Sequence, residues 1–172
     1  MKNKVLGRIL VGAAVALVGI QLIPVDTTNP PADGAMAMPA GETGQILKAA
    51  CMDCHSHETV WPWYARVAPV KFLLADHVSE GRSKLNFSTW GQRTPSRQAR
   101  KLEEVAELVE KGEMPEGTYT WMHPEARLTD AQRQLIVEWA HAERARILAT
   151  DTAAAPAADT TIAPTGGERG QR

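Results

Sequence analysis

The chain has 172 residues, 19 basic and 20 acidic side chains, a formal net charge of -1 and only two cysteines. That length holds one modest domain plus appendages, and balanced charge gives no general attraction to polyanions, so nucleic-acid binding is not expected. Two cysteines exclude a disulfide-scaffolded fold, and a bridge from Cys51 to Cys54 would close too short a loop to stabilise it much.

Residues 1–25 begin with Lys2, Lys4 and Arg8 and continue as an apolar run broken only by glycines and Gln21. From Val5 to Val25 a helix would reach ~32 Å, enough to cross a ~30 Å hydrocarbon core. The segment reads as a single-pass inner-membrane anchor with its basic flank in the cytoplasm and the rest of the chain in the periplasm. The rival is a cleaved signal peptide, for which Ala35-Met36-Ala37 offers small residues, although that site lies far beyond the apolar run.

Residues 26–39, with Asn29-Pro30-Pro31 and Asp33-Gly34, have the composition of an extended linker. Residues 40–149 form the expected folded domain. Its punctuation predicts short helices and no strand: one from Gly44 to Ala50, and one from Val70 to Gly81 with Phe72, Leu73, Ala75 and Val78 at helical spacing. A third runs from Pro95 to Lys111, capped by Thr94, striped by Leu102, Val105, Leu108 and Val109, and ended by Gly112. The last starts at Thr129-Asp130-Ala131-Gln132, a capping box, and buries Leu135, Ile136, Trp139 and Ala142 or Ala145. Basic residues gather in 82–101 and acidic ones in 103–116, which reads as a solvated surface with pairs such as Arg100 with Glu104 and Lys111 with Glu107. Residues 150–172, rich in Ala, Thr, Pro and Gly, form a tail expected to be disordered.

Cys51-Met52-Asp53-Cys54-His55 is a Cys-x-x-Cys-His, the pattern of c-type haem attachment. Cys51 and Cys54 can reach the two vinyl groups of one porphyrin as thioethers, and His55 can then place an imidazole beneath the iron as proximal ligand. A structural zinc site would need further ligands downstream, and no other cysteine exists. A thioredoxin-like pair would want a βαβ setting, whereas the surroundings read as helical. Met114, in Gly112-Glu113-Met114-Pro115, is the favoured distal iron ligand, with Met122, His77 and His123 as rivals or the sixth position left open.

These residues, together with Glu58-Thr59-Val60-Trp61-Pro62-Trp63-Tyr64, Ala68-Pro69-Val70, His77-Val78-Ser79-Glu80-Gly81-Arg82, Leu85-Asn86-Phe87-Ser88 and Gly112-Glu113-Met114-Pro115, resemble the bacterial haem-binding domain family of monohaem c-type cytochrome-like proteins. The resemblance runs from about Gln21 to Ala140. It implies one covalent haem c and a periplasmic location, and the likeness of Gln21-Leu22-Ile23-Pro24-Val25-Asp26 to the family's membrane-proximal segment favours a retained anchor.

Read physically, Trp61, Trp63 and Tyr64 are expected to wall the porphyrin against water, and a carbonyl near Pro69 to hold the free nitrogen of His55. Arg82 is the foremost candidate to bond the haem propionates, ahead of Trp90, Arg93, Tyr119 and Trp121. The expectation is an all-α, cytochrome c-like domain on a transmembrane helix, passing single electrons between redox partner proteins of unknown identity and carrying no catalytic constellation. The runner-up is a peroxidase-like haem enzyme or a gas or redox sensor with an open or displaceable sixth site, and a third possibility is an assembly subunit of a respiratory complex.

Overall fold

The computed structural model describes residues 2–154; the expected disorder of 155–172 lies outside the described residues. Its helices are α1 (Lys2–Gln21), α2 (Glu42–Ala50), α3 (Met52–His55), α4 (Val70–Lys84), α5 (Pro95–Glu110), α6 (Gly117–Met122) and α7 (Asp130–Ala154). Short 3-10 turns lie at Trp63–Arg66, Phe87–Gln92 and Pro124–Ala126, and no strand occurs among the described residues.

The scaffold is the pair α5 and α7. Alanines at 99 and 106 alternate with Leu102 and Val109 on the buried stripe of α5, so α7 can approach closely. The two helices run antiparallel, since Arg133 at the start of α7 donates to the carbonyl of Val109 at 3.0 Å and Arg144 pairs with Glu103 at 2.8 Å. Gly112, at φ 73°, ends α5 in a left-handed turn that returns the amide of Glu113 to the carbonyl of Leu108. Thr94 does not cap α5 with its side chain; only its carbonyl joins the helix, accepting from the amide of Gln98. The capping box of α7 is formed, with Gln132 N donating to Thr129 Oγ1 and Thr129 N to Gln132 Oε1. The buried stripe of α7 is Ile136, Ala140 and Ile147, whereas Ala142 and Ala145 are exposed, because α5 covers a face rotated from the expected one. Arg100 with Glu104 and Lys111 with Glu107 are paired as expected. Helix α7 also continues past 149 to Ala154, helped by the alanines of its end, with the hydroxyls of Thr150 and Thr152 satisfied by the carbonyls four residues back.

Two apolar clusters fill the interior. One gathers Met36, Met52, Leu85, Phe87, Trp90, Leu102, Ala106, Ala140 and Ile147, and the other Ile46, Leu47, Val109 and Ile136. Cys51, Met38, Val105, Val137 and Trp139 pack on both, so the first motif cysteine sits at the seam.

The stretch 26–39 is extended, as its composition implies, but it is packed and not a free spacer. Its amides at Asp33 and Met36 donate to the carbonyls of Ser88 and Phe87, and Gly91 N donates to Gly34 O at 2.7 Å. Gly34 holds φ 72°, and a Cβ there would stand 3.2 Å from the Gly91 Cα, so both the turn and the close approach require glycine. Met36 is buried at the end of this strap.

Helix α1 is the one described helix long and apolar enough to cross a membrane, and none of its residues is buried. It stops at Gln21, four residues short of the expected Val25, where Pro24 and the domain take over. The Gln21 side chain brackets Ala68, donating to its carbonyl at 3.3 Å and accepting from its amide at 3.0 Å. Lys71, itself buried, donates Nζ to the carbonyls of Gln21 and Ile23, both at 2.7 Å. A cation thus satisfies carbonyls that the end of α1 would otherwise leave without partners.

Candidate functional site

The motif forms by a change of helix. Cys51 closes α2 with its amide on Leu47 O, leaves the helical region at φ -127°, and serves as the start of the single turn α3. Cys51 and Cys54 are unpaired and half-buried on this turn. Burial pushes the Cys51 thiol up to about 12, with Cys54 beside it adding to the shift. Cys54 is pushed up to about 11 by burial first, then by the carboxylates of Asp53 and Glu116. Both are therefore neutral thiols at pH 7, unlike the depressed, thiolate-bearing cysteines of a dithiol redox centre. Among the described residues no group of three or more His, Cys, Asp or Glu side chains is placed to hold a metal ion.

His55 is fixed by α4. Its Nδ1 lies 3.0 Å from Gly81 O and 3.1 Å from Leu85 O. Carbonyls only accept, so Nδ1 carries the proton and the Nε2 lone pair is left for a metal. The carbonyls come from the far end of α4 and not from the Pro69 region, because Pro69 begins that helix and is occupied with its start. Gly81, expected to stop the helix, is an interior contact: α4 runs on to Lys84, and a Cβ at Gly81 would lie 2.6 Å from Cys54 O. The glycine lets α4 press on the motif while its carbonyl orients the histidine. Only the three-dimensional neighbour reveals this role.

Around the motif, Asp53 accepts from Val60 N at 2.9 Å and from the Tyr119 hydroxyl at 2.8 Å. Burial and this carboxylate keep the Tyr119 phenol protonated well above its usual range. Tyr119 stacks on His123 at 4.1 Å, and His123 Nδ1 is bonded to Tyr119 O. His77 lies 3.8 Å from Glu116. Met114 packs on the second apolar cluster, the one Cys51 also touches, whereas Met122 is half exposed. The neighbouring Glu116 adds to the upward shift of the Cys54 thiol.

The expected pocket wall is only partly assembled. Trp61 is half-buried next to Val60, and its indole N–H is fully buried without a partner. Tyr64 is half-buried and meets Trp63 edge-on at 5.7 Å, but Trp63 is 78% exposed and points away from any interior. Arg82 is engaged by the protein itself. Its guanidinium donates to Ser56 O at 2.8 Å, Thr28 O at 2.9 Å, Asn29 Oδ1 at 2.7 Å and Thr59 Oγ1 at 2.9 Å, so four of its five donors clamp the strap to the residues just after the motif and one Nη1 hydrogen is left for a propionate. Trp90 is buried in the first cluster and Trp121 is largely exposed. His57 also holds the strap, with Nδ1 3.2 Å from Pro31 O, while its Nε2 lies 2.9 Å from Asn86 Nδ2.

These residues fit a haem: two neutral thiols and a tautomer-locked imidazole share one turn, and the buried Trp61 N–H lacks an acceptor that an anionic prosthetic group would supply. No curated protein and no solved structure matches this chain. The model of the haem-binding domain matches residues 15–142, from within α1 to within α7, with the motif, the strap and the Met114 loop inside it. The chain therefore belongs to the haem-binding domain family.

Proposed function

We propose that this protein is a membrane-anchored monohaem c-type cytochrome whose domain lies in the periplasm and relays single electrons between protein partners. The observation that carries the reading is His55, whose Nδ1 proton is held by two backbone carbonyls beside two free thiols at the attachment spacing. Cys51 and Cys54 would hold one haem through thioethers, His55 Nε2 would ligate its iron, and Met114 would supply the second axial ligand. When bound, the haem supplies a one-electron ferric/ferrous couple, and a thioether ligand favours the ferrous form. The chain's part would be to orient His55, to hold the two thiols on one turn, and to exclude water with Trp61, Tyr64 and the Met114 loop. The basic flank of α1 supports a cytoplasmic amino terminus and an exported domain.

The test is spectroscopic. Haem staining on a denaturing gel should persist in the parent and vanish in Cys51→Ser/Cys54→Ser. The ferric charge-transfer band at the red end of the visible spectrum should disappear in Met114→Ala and survive in Met122→Ala. A Met114→Ala spectrum identical to the parent's would overturn the ligand set, and rapid carbon monoxide binding by the unaltered ferrous protein would favour a sensor or enzyme with an open site.

A further inference from the structure

The segment that receives the end of α1 also carries most of the domain's exposed large apolar side chains, the others being Trp121, Met122 and Leu148. Val60 is 76% exposed, Trp63 78% and Leu73 53%, with Val67 and Val70 less so. Trp63 begins a 3-10 turn and Val70 begins α4, so the five flank Ala68 and Lys71, the two residues bonded to α1. We propose that this face lies on the lipid bilayer, with Trp63 seated in the headgroup region of the outer leaflet of the membrane that α1 spans.

The argument is one of depth, and it rests on the reading of α1 as a retained anchor. From Val5, beyond the basic Lys2 and Lys4, to Gln21 the helix rises ~26 Å, with Arg8 snorkelling to the inner headgroups, so a ~30 Å hydrocarbon core ends at or just past Gln21. Leu22 and Ile23 beyond it are still apolar and exposed, which keeps that boundary from lying any nearer the amino terminus. Ala68 and Lys71 are within hydrogen-bond distance of Gln21 and therefore share its depth. The bonds themselves suit that depth: the polar groups of Gln21 and the carbonyl of Ile23 are satisfied by the protein where water is scarce. Four of the five apolar side chains lie within five residues of Ala68 and the fifth eight residues before it, and Trp is the residue type that favours the lipid interface. Arg66, exposed in the same turn, can meet lipid phosphates. A soluble face of this composition would be an unpartnered apolar patch, whereas one held against a bilayer by its own anchor is covered.

Nitroxide labels test this in the full-length holoprotein reconstituted in vesicles of zwitterionic and anionic phospholipid, where haem attachment occupies Cys51 and Cys54 and the parent treated with the same reagent gives the background. Labels are placed singly at Trp63→Cys, Val67→Cys, Val11→Cys within α1, and Arg100→Cys on the exposed face of α5. Power saturation with oxygen and with a water-soluble nickel chelate reads the depth of each. The expected result is lipid-like accessibility at 11, interfacial at 63 and 67, and aqueous at 100. Position 11 in lipid with 63 and 67 fully in water overturns the docking and leaves the anchor standing. Position 11 in water overturns the anchor, and the docking with it.

Discussion

Gly81 joins two requirements in one residue: its carbonyl accepts from His55 Nδ1, and its missing Cβ makes room for the backbone of Cys54. Replacing it should therefore injure the site from α4. By helix propensity alone Gly81→Ala would gain up to ~1 kcal/mol in mid-helix. The added methyl would meet Cys54 O at 2.6 Å, and a backbone atom cannot swing aside as a side chain can, so steric cost dominates. The expected outcome is a net loss of ~2 kcal/mol in denaturant unfolding, with a lower yield of covalently haem-stained protein. Gly117→Ala, at an open position in α6, should change neither quantity. Equal behaviour of the two variants would sink this account of Gly81. The Cys51, Cys54 and His55 motif was legible in the sequence because its spacing is local. The parts played by Gly81 and Lys71 were not, because a missing Cβ or a buried ammonium acquires meaning only from a partner 27 or 50 residues away.

At the scale of elements, α2, α4, α5 and α7 were readable from apolar period and punctuation, since proline at the start of α5, glycine after it and the Thr129–Gln132 box act within a single turn, whereas α6, six residues with none buried, reads as loop. The strap 26–39 escaped that logic. It has neither helical nor strand period, and its packing rests on Met36 and on isolated bonds to the 87–92 turn and Arg82. Arg82 sets one planar fork against four acceptors, two on the strap and two just after the motif, a geometry a lysine's single ammonium cannot reproduce. Arg82→Ala should destabilise by about 2 kcal/mol and speed amide exchange at Asp33 and Met36, and Arg82→Lys should recover little of either. Haem staining should persist in both variants. A shifted reduction potential with unchanged exchange would instead return Arg82 to the role of propionate donor.

For the whole molecule, the decisive contact is the one between anchor and domain, because it determines whether the haem-binding domain swings on a tether or stands in a fixed pose over the membrane. An electron carrier in a fixed pose presents one face to partners in the plane of the bilayer, whereas a tethered one searches a volume. Four hydrogen bonds favour the fixed pose, and Lys71 makes two of them from a buried position at the carboxyl end of α1, where a positive charge is also favoured by the helix dipole. Lys71→Met keeps the length and apolar stem of the side chain and removes the donors, leaving the carbonyls of Gln21 and Ile23 unsatisfied at a cost of ~1–3 kcal/mol each where water cannot reach them. Pulsed electron-electron distance measurements between labels at Leu6→Cys in α1 and Arg100→Cys in α5 read the pose directly. The parent background should give one narrow distance distribution, and Lys71→Met a broad one with haem staining unchanged. A broad distribution in the parent would mean a swinging domain, and a narrow one in Lys71→Met would mean that Gln21 and the lipid contact suffice to hold it.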